Sequence, residues 1–240
     1  MIARTFFAAV LMLLSMVMLF PVNAAKPPAL PASLELKYAL RYNGLMVGRV
    51  VKTLTREADG SYRHRSHSTP LGMAKMFTGV EWFEEGQFEL AQNRVLPLSF
   101  LEYRVGADKP HRHTARFDWK AQMIFYENWP TTALPPGTQD QGSILFALML
   151  DPPAPSTQQT IHVSSGKKLR MYHYTNAGTE TLKTVLGMTK TIIIERPALD
   201  KGDELFRVWL AAERGNMPVR ISTQKRGQET VLELESVSGL

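Results

Sequence analysis

Six histidines and no cysteine bound the chemistry open to this chain of 240 residues. Without a thiol there is no disulfide, no thiolate nucleophile and no cysteine-held zinc. His111 and His113 stand two apart, so in a strand they share one face, which continues through Ala115 and Phe117 to Trp119. Two imidazoles so placed can chelate zinc or copper, but a third ligand must come from elsewhere, and no spacing in the chain points to one. The pair is therefore read as a polar rim, with no metal and no cofactor expected. His64 and His67 are offset by an odd number and face opposite sides of their strand, so they cannot share an ion.

Carboxylates occur in pairs at Glu84-Glu85 and at Glu233 and Glu235. Acid-base work on glycans requires two acids facing each other at a defined separation. Glu233 and Glu235 alternate with Leu232 and Leu234, the pattern of a solvated strand face. No Gly-x-Ser-x-Gly elbow, phosphate loop or dinucleotide fingerprint is present. The expectation is a protein that is not an enzyme.

The elements that would carry these residues are strands. From Ser33, the residues Leu34, Leu36, Tyr38, Leu40 and Tyr42 alternate with more polar ones, and Asn43-Gly44 turns the chain into a second strand over 45–57. Further strands are expected over 61–69, 77–90, 98–105, 111–119 and 123–127. After residue 140 the style changes: Asp140 is an N-cap candidate, 144–150 is a run of apolar helix formers, and Pro152-Pro153 stops it. One short buried helix follows from that pattern. Strands resume over 160–163, 168–175, 180–185, 190–196, 204–211, 218–225 and 229–237. Many short strands, one helix and no βαβ alternation predict an all-β fold, a single antiparallel β-barrel-like or highly curved meander sheet over 33–240, with the helix plugging or flanking it. Gly44, Gly48 and Gly187 are read as backbone devices, and Trp209 and Arg220 as a stacking pair on adjacent strands.

The front of the chain reads as a targeting segment. Arg4, an apolar run over 6–20 and small residues at 22 and 24 predict a signal peptide over 1–24, cleaved after Ala24. The run is shorter than the roughly 20 residues a helix needs to span hydrocarbon, so no membrane span is expected after cleavage. Residues 25–32 form a Pro-rich spacer. The whole chain has 28 basic and 22 acidic residues, a formal charge of +6; without 1–24 it keeps 27 bases against the same 22 acids. A mildly basic exported protein meets anionic lipids, lipopolysaccharide phosphates and acidic glycans, whereas nucleic acid is not an expected partner in the periplasm. Strand faces such as Glu81, Phe83, Glu85, Gln87 and Glu89 lack the apolar band of an outer-membrane barrel.

Successive blocks of the chain resemble a known family. They are residues 38–48 (YALRYNGLMVG), Leu96-Pro97, Asp140 with its helix, Gly178-Thr179-Glu180 leading to Leu186-Gly187, Trp209-Leu210-Ala211-Ala212-Glu213, and Met217-Pro218-Val219-Arg220. Their order and spacing are similar to the exported bacterial family catalogued as domain of unknown function 3108. The resemblance implies a periplasmic antiparallel β-barrel-like fold, similar to that of a small lipoprotein group associated with capsule export, and no established activity or catalytic residues. Glu213 stands where the family pattern suggests an Asp.

Several predicted strands carry bulky apolar residues on both faces: Phe83 opposite Trp82, Leu101 and Tyr103 opposite Phe100, Phe206 and Val208 opposite Trp209. One face packs the core, and the other must meet the helix, a partner or a ligand. The ligand expected from this pattern is amphipathic, apolar against Trp82 and Trp119 and anionic toward His111, Arg112 and His113. The function expected is a non-enzymatic periplasmic binding or assembly factor for an envelope lipid, glycan or protein. The alternative is a hydrolase or lyase acting on envelope polysaccharide.

Overall fold

Alternation sets the first wall of the molecule. In β1 (Ser33–Tyr42) the side chains of Leu34, Leu36 and Tyr38 are buried while Glu35 and Lys37 face solvent. The chain then runs through β2 (Leu45–Arg56), β3 (Tyr62–Pro70), a short helix α1 (Gly72–Phe77), β4 (Glu81–Ala91), β5 (Arg94–Val105), β6 (Arg112–Asp118), β7 (Met123–Tyr126) and β8 (Thr132–Ala133). It continues through β9 (Gln139–Asp140), α2 (Ser143–Leu150), β10 (Gln158–Ser164), β11 (Leu169–Thr184), β12 (Gly187–Arg196), β13 (Leu205–Ala211), a 3-10 turn (Ala212–Arg214), β14 (Met217–Lys225) and β15 (Gln228–Ser238). The computed structural model describes residues 29–77, 79–199 and 203–239. The expected export signal over 1–24 and residues 25–28 of the spacer lie outside the described residues.

Among the described residues, all strands join one 15-stranded sheet in the order β8-β7-β6-β5-β4-β3-β2-β1-β15-β14-β13-β12-β11-β10-β9. Every pairing is antiparallel except that of β9 with β10. The first and last strands pair with each other, so two meanders run outward from the β1–β15 seam. Their ends, β8 and β9, are not paired, and the sheet curls into a barrel-like body that hydrogen bonds do not close. The β10–β11 turn covers the gap: the Ser164 hydroxyl donates to Tyr126 Oη at 3.2 Å, and Leu169 packs beside Phe100, Phe117 and Ile124.

Helix α2 fills the interior. Every residue of it except Ala147 is buried, and a helix apolar on all sides belongs inside protein. Phe146, Met149 and Leu150 join Tyr38, Leu54, Phe88 and Val95 of the first meander. Ile144, Leu145 and Leu148 join Ile161, Tyr174, Ile194, Val208 and Leu210 of the second. Gly142 stands at the N-cap, and Asp140, the residue expected to cap the helix, acts from two places before it: its Oδ1 accepts the amide protons of Gly142 and Ser143 at 2.8 Å each, satisfying donors a helix start leaves orphaned.

Three local expectations are corrected. Residue 77, expected to open a strand, ends α1 instead, because Pro70 terminates β3 and Gly72, at φ +55°, reverses the chain before β4 can begin. The strands expected over 168–175 and 180–185 are one, β11; Asn176-Ala177-Gly178 reads as a turn but forms a β-bulge, with Gly178 at φ +111° and its amide donating to Asn176 Oδ1. Strand β5 starts at Arg94, before Pro97, because the β4–β5 register shifts beside that proline, between Gln87 and Phe88, and the bulge spares the ladder.

Candidate functional site

Strand register turns scattered residues into rows across the inner wall. Lys52, Ser66, Glu84, Glu102 and His113 are successive cross-strand partners from β2 to β6. They share the face of buried Val50, Leu54, His64, Phe88 and Phe100, and therefore line the concave side. One step along the strands lies the row Val50, Ser68, Trp82 and Arg104, and the Arg104 amide donates to the carbonyl of His111. One step the other way are Leu54, His64, Gly86, Phe100 and Ala115.

The polar row is internally paired. Lys52 Nζ donates to Ser66 Oγ at 3.0 Å and lies 3.8 Å from Glu84 Oε2. Glu102, only 4% exposed, accepts a hydrogen bond from His111 Nε2, and His113 Nδ1 lies 3.8 Å from the same carboxylate oxygen. Burial first, then the neighbouring His111 and Lys167, hold the His113 pKa below the ordinary histidine range and favour the neutral ring. The His111 ring meets that of His113 at 4.3 Å and the edge of Trp82 at 5.9 Å, while the Arg104 guanidinium stacks 3.9 Å over Trp82.

Deeper in, His64 is clamped between two glycines. A Cβ on Gly86 would lie 2.2 Å from His64 Nε2, and one on Gly142 would lie 2.1 Å from His64 Cε1, so neither position admits a side chain while the imidazole is there. The ring touches Phe88 and Phe146, and its Nε2 stands 3.5 Å from Asp140 Oδ1, which is engaged in capping α2. Among the described residues His64 Nε2 and Asp140 Oδ2 have no hydrogen-bond partner. Ser143 Oγ donates to Gln139 Oε1 rather than approaching the histidine, so the three residues are not a nucleophile-base-acid relay.

Beside the first turn of α2 opens a cavity of about 540 Å³. Its floor is apolar, formed by Ile144 and Leu145 of the helix with Tyr174, Phe206, Ile221 and Leu232 of the sheet. Its rim carries six basic residues, Lys52, Lys167, Lys168, Arg170, Arg196 and Lys225, against three acidic ones, Glu84, Asp203 and Glu204. Arg196 is only 7% exposed, stacks 4.3 Å over Tyr172 and gives one hydrogen bond to the Glu204 carbonyl; its Nε has no acceptor among the described residues.

The five residues expected to bind a ligand do not form one site. Trp82, His111 and His113 come together at one mouth of the barrel. Arg112 lies on the outer face, paired with Glu127, because strand alternation turns it away from its histidine neighbours. Trp119 donates to the Pro97 carbonyl and lines a separate cavity of about 440 Å³ beside the last turn of α2. Trp82 faces Arg104 and Trp119 meets Pro97, so their partners lie seven residue steps apart on β5, roughly 23 Å of strand. Part of the outer apolar face covers itself. His67, Phe83 and Tyr103 stack on one another at 4.1 and 4.8 Å across β3, β4 and β5.

Sequence reasoning passed over Glu102, Lys52 and Arg196, and weighed His64 only against His67. Glu102 and Lys52 carried a usable signal, since each is a charged residue at the parity of its strand's buried positions. No linear signal paired His64 with Asp140, which are brought together by α2 folding back under β3.

A family model described as "Protein of unknown function (DUF3108)" matches residues 37–234. Among solved structures, the chain is similar to a β-barrel-like protein of domain of unknown function DUF1849 from Brucella abortus, with a TM-score of 0.57 and 10% identity over 87% of this chain and 98% of that one. At that identity the likeness concerns fold alone. A hypothetical protein, CT021, from Chlamydia trachomatis aligns over 85% of this chain and 87% of its own at 11% identity, but its TM-score of 0.24 carries no argument. No curated protein matches the chain.

Proposed function

Since the chain belongs to the DUF3108 family of proteins of unknown function, a membership that assigns no chemistry, we propose a role from its cavity: a non-enzymatic binding or assembly factor of the cell envelope, exported to the periplasm, that holds an amphipathic anionic molecule. The observation that carries this reading is the pairing of an apolar floor with a cationic rim in the 540 Å³ cavity, a volume within the range of small-molecule sites. An acyl chain would lie against Ile144, Leu145, Phe206 and Ile221. An anionic head would meet the excess of bases and satisfy Arg196, whose buried, unpaired Nε is costly without an acceptor. An envelope lipid or a lipid-linked glycan has that chemistry. Among the described residues no helix is long and apolar enough to cross a membrane.

The test uses protein recovered from the periplasmic fraction, titrated with a fluorescent fatty acid and with lipopolysaccharide. Saturable binding of at least one probe is expected. Arg196→Gln should weaken it about tenfold or more, because a hydrogen bond to a charged group is worth about 1.5–3 kcal/mol. No saturable response to either probe would overturn the reading in favour of a scaffold that binds other proteins, and absence of the protein from the periplasm would overturn its export.

One observation favours the enzymatic reading, a hydrolase or lyase on envelope polysaccharide: Glu84 and Glu102 are cross-strand partners on the concave face, and glycan cleavage works with paired carboxylates. Both are already engaged, Glu84 with Lys52 and Glu102 with His111. Release of reducing ends from envelope polysaccharide by the wild type but not by Glu84→Gln would establish that reading.

A further inference from the structure

The geometry points to a zinc site at the barrel mouth formed by Glu102, His111 and His113. One ligand atom from each of the three lies within 4.8 Å of the others, close enough for a single ion to touch all of them. The site has a built frame. His111 and His113 stand on one face at i and i+2, Glu102 is the direct cross-strand partner of His113, and the Arg104 amide ties the His111 carbonyl to β5. The β10–β11 turn backs the site: a Cβ on Gly166 would come within 2.9 Å of His113 Cβ. Trp82 walls off His111 from the other side. The three side chains are half-buried or buried, with side-chain exposures of 6% for Glu102, 21% for His111 and 14% for His113.

The donor set narrows the class of ion. Two imidazole nitrogens and one carboxylate oxygen, with a further position left open, match the ligand count of zinc sites that keep a coordination place for water or substrate. Calcium and magnesium need several oxygen ligands and a surplus of negative charge. Here Arg104 and Lys167 stand near the imidazoles, and Glu84, the neighbour of Glu102, is paired with Lys52. The nitrogen donors, not net charge, must therefore supply the affinity, which excludes the hard cations and leaves the ions that imidazole suits, zinc among them. For His111 to ligate through Nε2, the proton it shares with Glu102 moves to its Nδ1, and the Glu102 oxygen then turns from accepting a hydrogen bond to coordinating the ion.

None of the three ligands lines the 540 Å³ cavity, so this inference and the amphipathic-ligand reading stand or fall separately. Isothermal titration of untagged, chelator-stripped protein with Zn²⁺ should show one saturable equivalent per chain, and Ca²⁺ should show none. His113→Asn and Glu102→Gln, near in shape to the native residues, should each weaken Zn²⁺ binding by at least the roughly 10–100-fold that loss of an outer-shell partner costs. His173→Ala, a half-buried histidine bonded to Gln158 and Thr160 on the second meander, should leave it unchanged. Circular dichroism of each variant establishes that the fold is retained. Absence of saturable Zn²⁺ binding, Ca²⁺ binding of equal strength, or Zn²⁺ binding that survives both His113→Asn and Glu102→Gln would overturn the site.

Discussion

The His64 imidazole occupies space that two glycines leave free, and that arrangement makes a sharp test at the scale of single residues. Gly142→Ala would force a methyl group to 2.1 Å from His64 Cε1, and overpacking of a filled interior costs about 1–3 kcal/mol. The loss should be read from urea denaturation. Removing the ring removes the clash, so the double variant His64→Ala with Gly142→Ala should be more stable than the sum of the single losses predicts, by about 0.5–3 kcal/mol. Strict additivity would show that the glycine serves another purpose. Acid sensitivity also belongs to single residues. Burial alone would raise the Glu233 pKa, but hydrogen bonds from Arg41 and Arg220 outweigh it and hold this carboxyl below its ordinary 4.5. A depressed native pKa means that the unfolded chain binds the proton more readily, so this contribution is complete above pH 4.5 and declines as pH falls through the lower native value. The urea midpoint of the wild type should therefore fall below pH 4.5 more steeply than that of Glu233→Gln. Parallel curves would assign the acid sensitivity elsewhere, for instance to Glu85, which Arg65 and Arg63 depress in the same direction against its own burial.

At the scale of elements, α2 is the piece on which both meanders converge. Its cap and its stop are local, an aspartate before it and a proline pair after it, and both were readable in the chain. Leu148 is fully buried and belongs to the cluster of the second meander, between β10, β13 and β14. Leu148→Ala should cost about 2–5 kcal/mol by thermal or urea denaturation, the range for a cavity in a core that cannot collapse. A loss below 1 kcal/mol would mean that the helix is not the packed centre described above. Elements without such punctuation were not legible. Helix α1 has only six residues and no apolar period, and both of its methionines, Met73 and Met76, are exposed. The long strand β11 hides its continuity behind Asn176 and Gly178, because a β-bulge and a turn draw on the same residue types.

The whole molecule faces one structural problem, the unpaired ends of a 15-stranded sheet. An exposed strand edge is a template for pairing with another copy. Here the end strands β8 and β9 have two residues each, and the β10–β11 turn seats Gly166 against His113 and Phe100. Gly166 is at φ +76°, a conformation that β-branched residues resist, and it has no room for a side chain. Gly166→Val should therefore lift the turn and uncover the gap. Size-exclusion chromatography with light scattering should then show species larger than those of the wild type at the same concentration, and an unchanged profile would show that the turn does not guard the edge.

Period-two alternation determined which residues of each strand share a face: His64 apart from His67, and His111 with His113. Asn43-Gly44 determined the first hairpin, and Trp209 and Arg220 are the cross-strand, stacked pair that their places in the chain suggest, 5.4 Å apart. These are local properties, because an alternating pattern and a turn are complete within a dozen residues. Which strands lie side by side, and in what register, is not. That Glu102 faces His113, that Lys52 and Arg196 border one cavity, and that Asp140 comes under His64 follow from the seam between β1 and β15, from bulges at Gln87 and Asn176, and from the return of α2 into the barrel. Only the tertiary structure decided those neighbours. A strand's pattern says which face is buried, while cross-strand register is set by packing against residues far away in the chain.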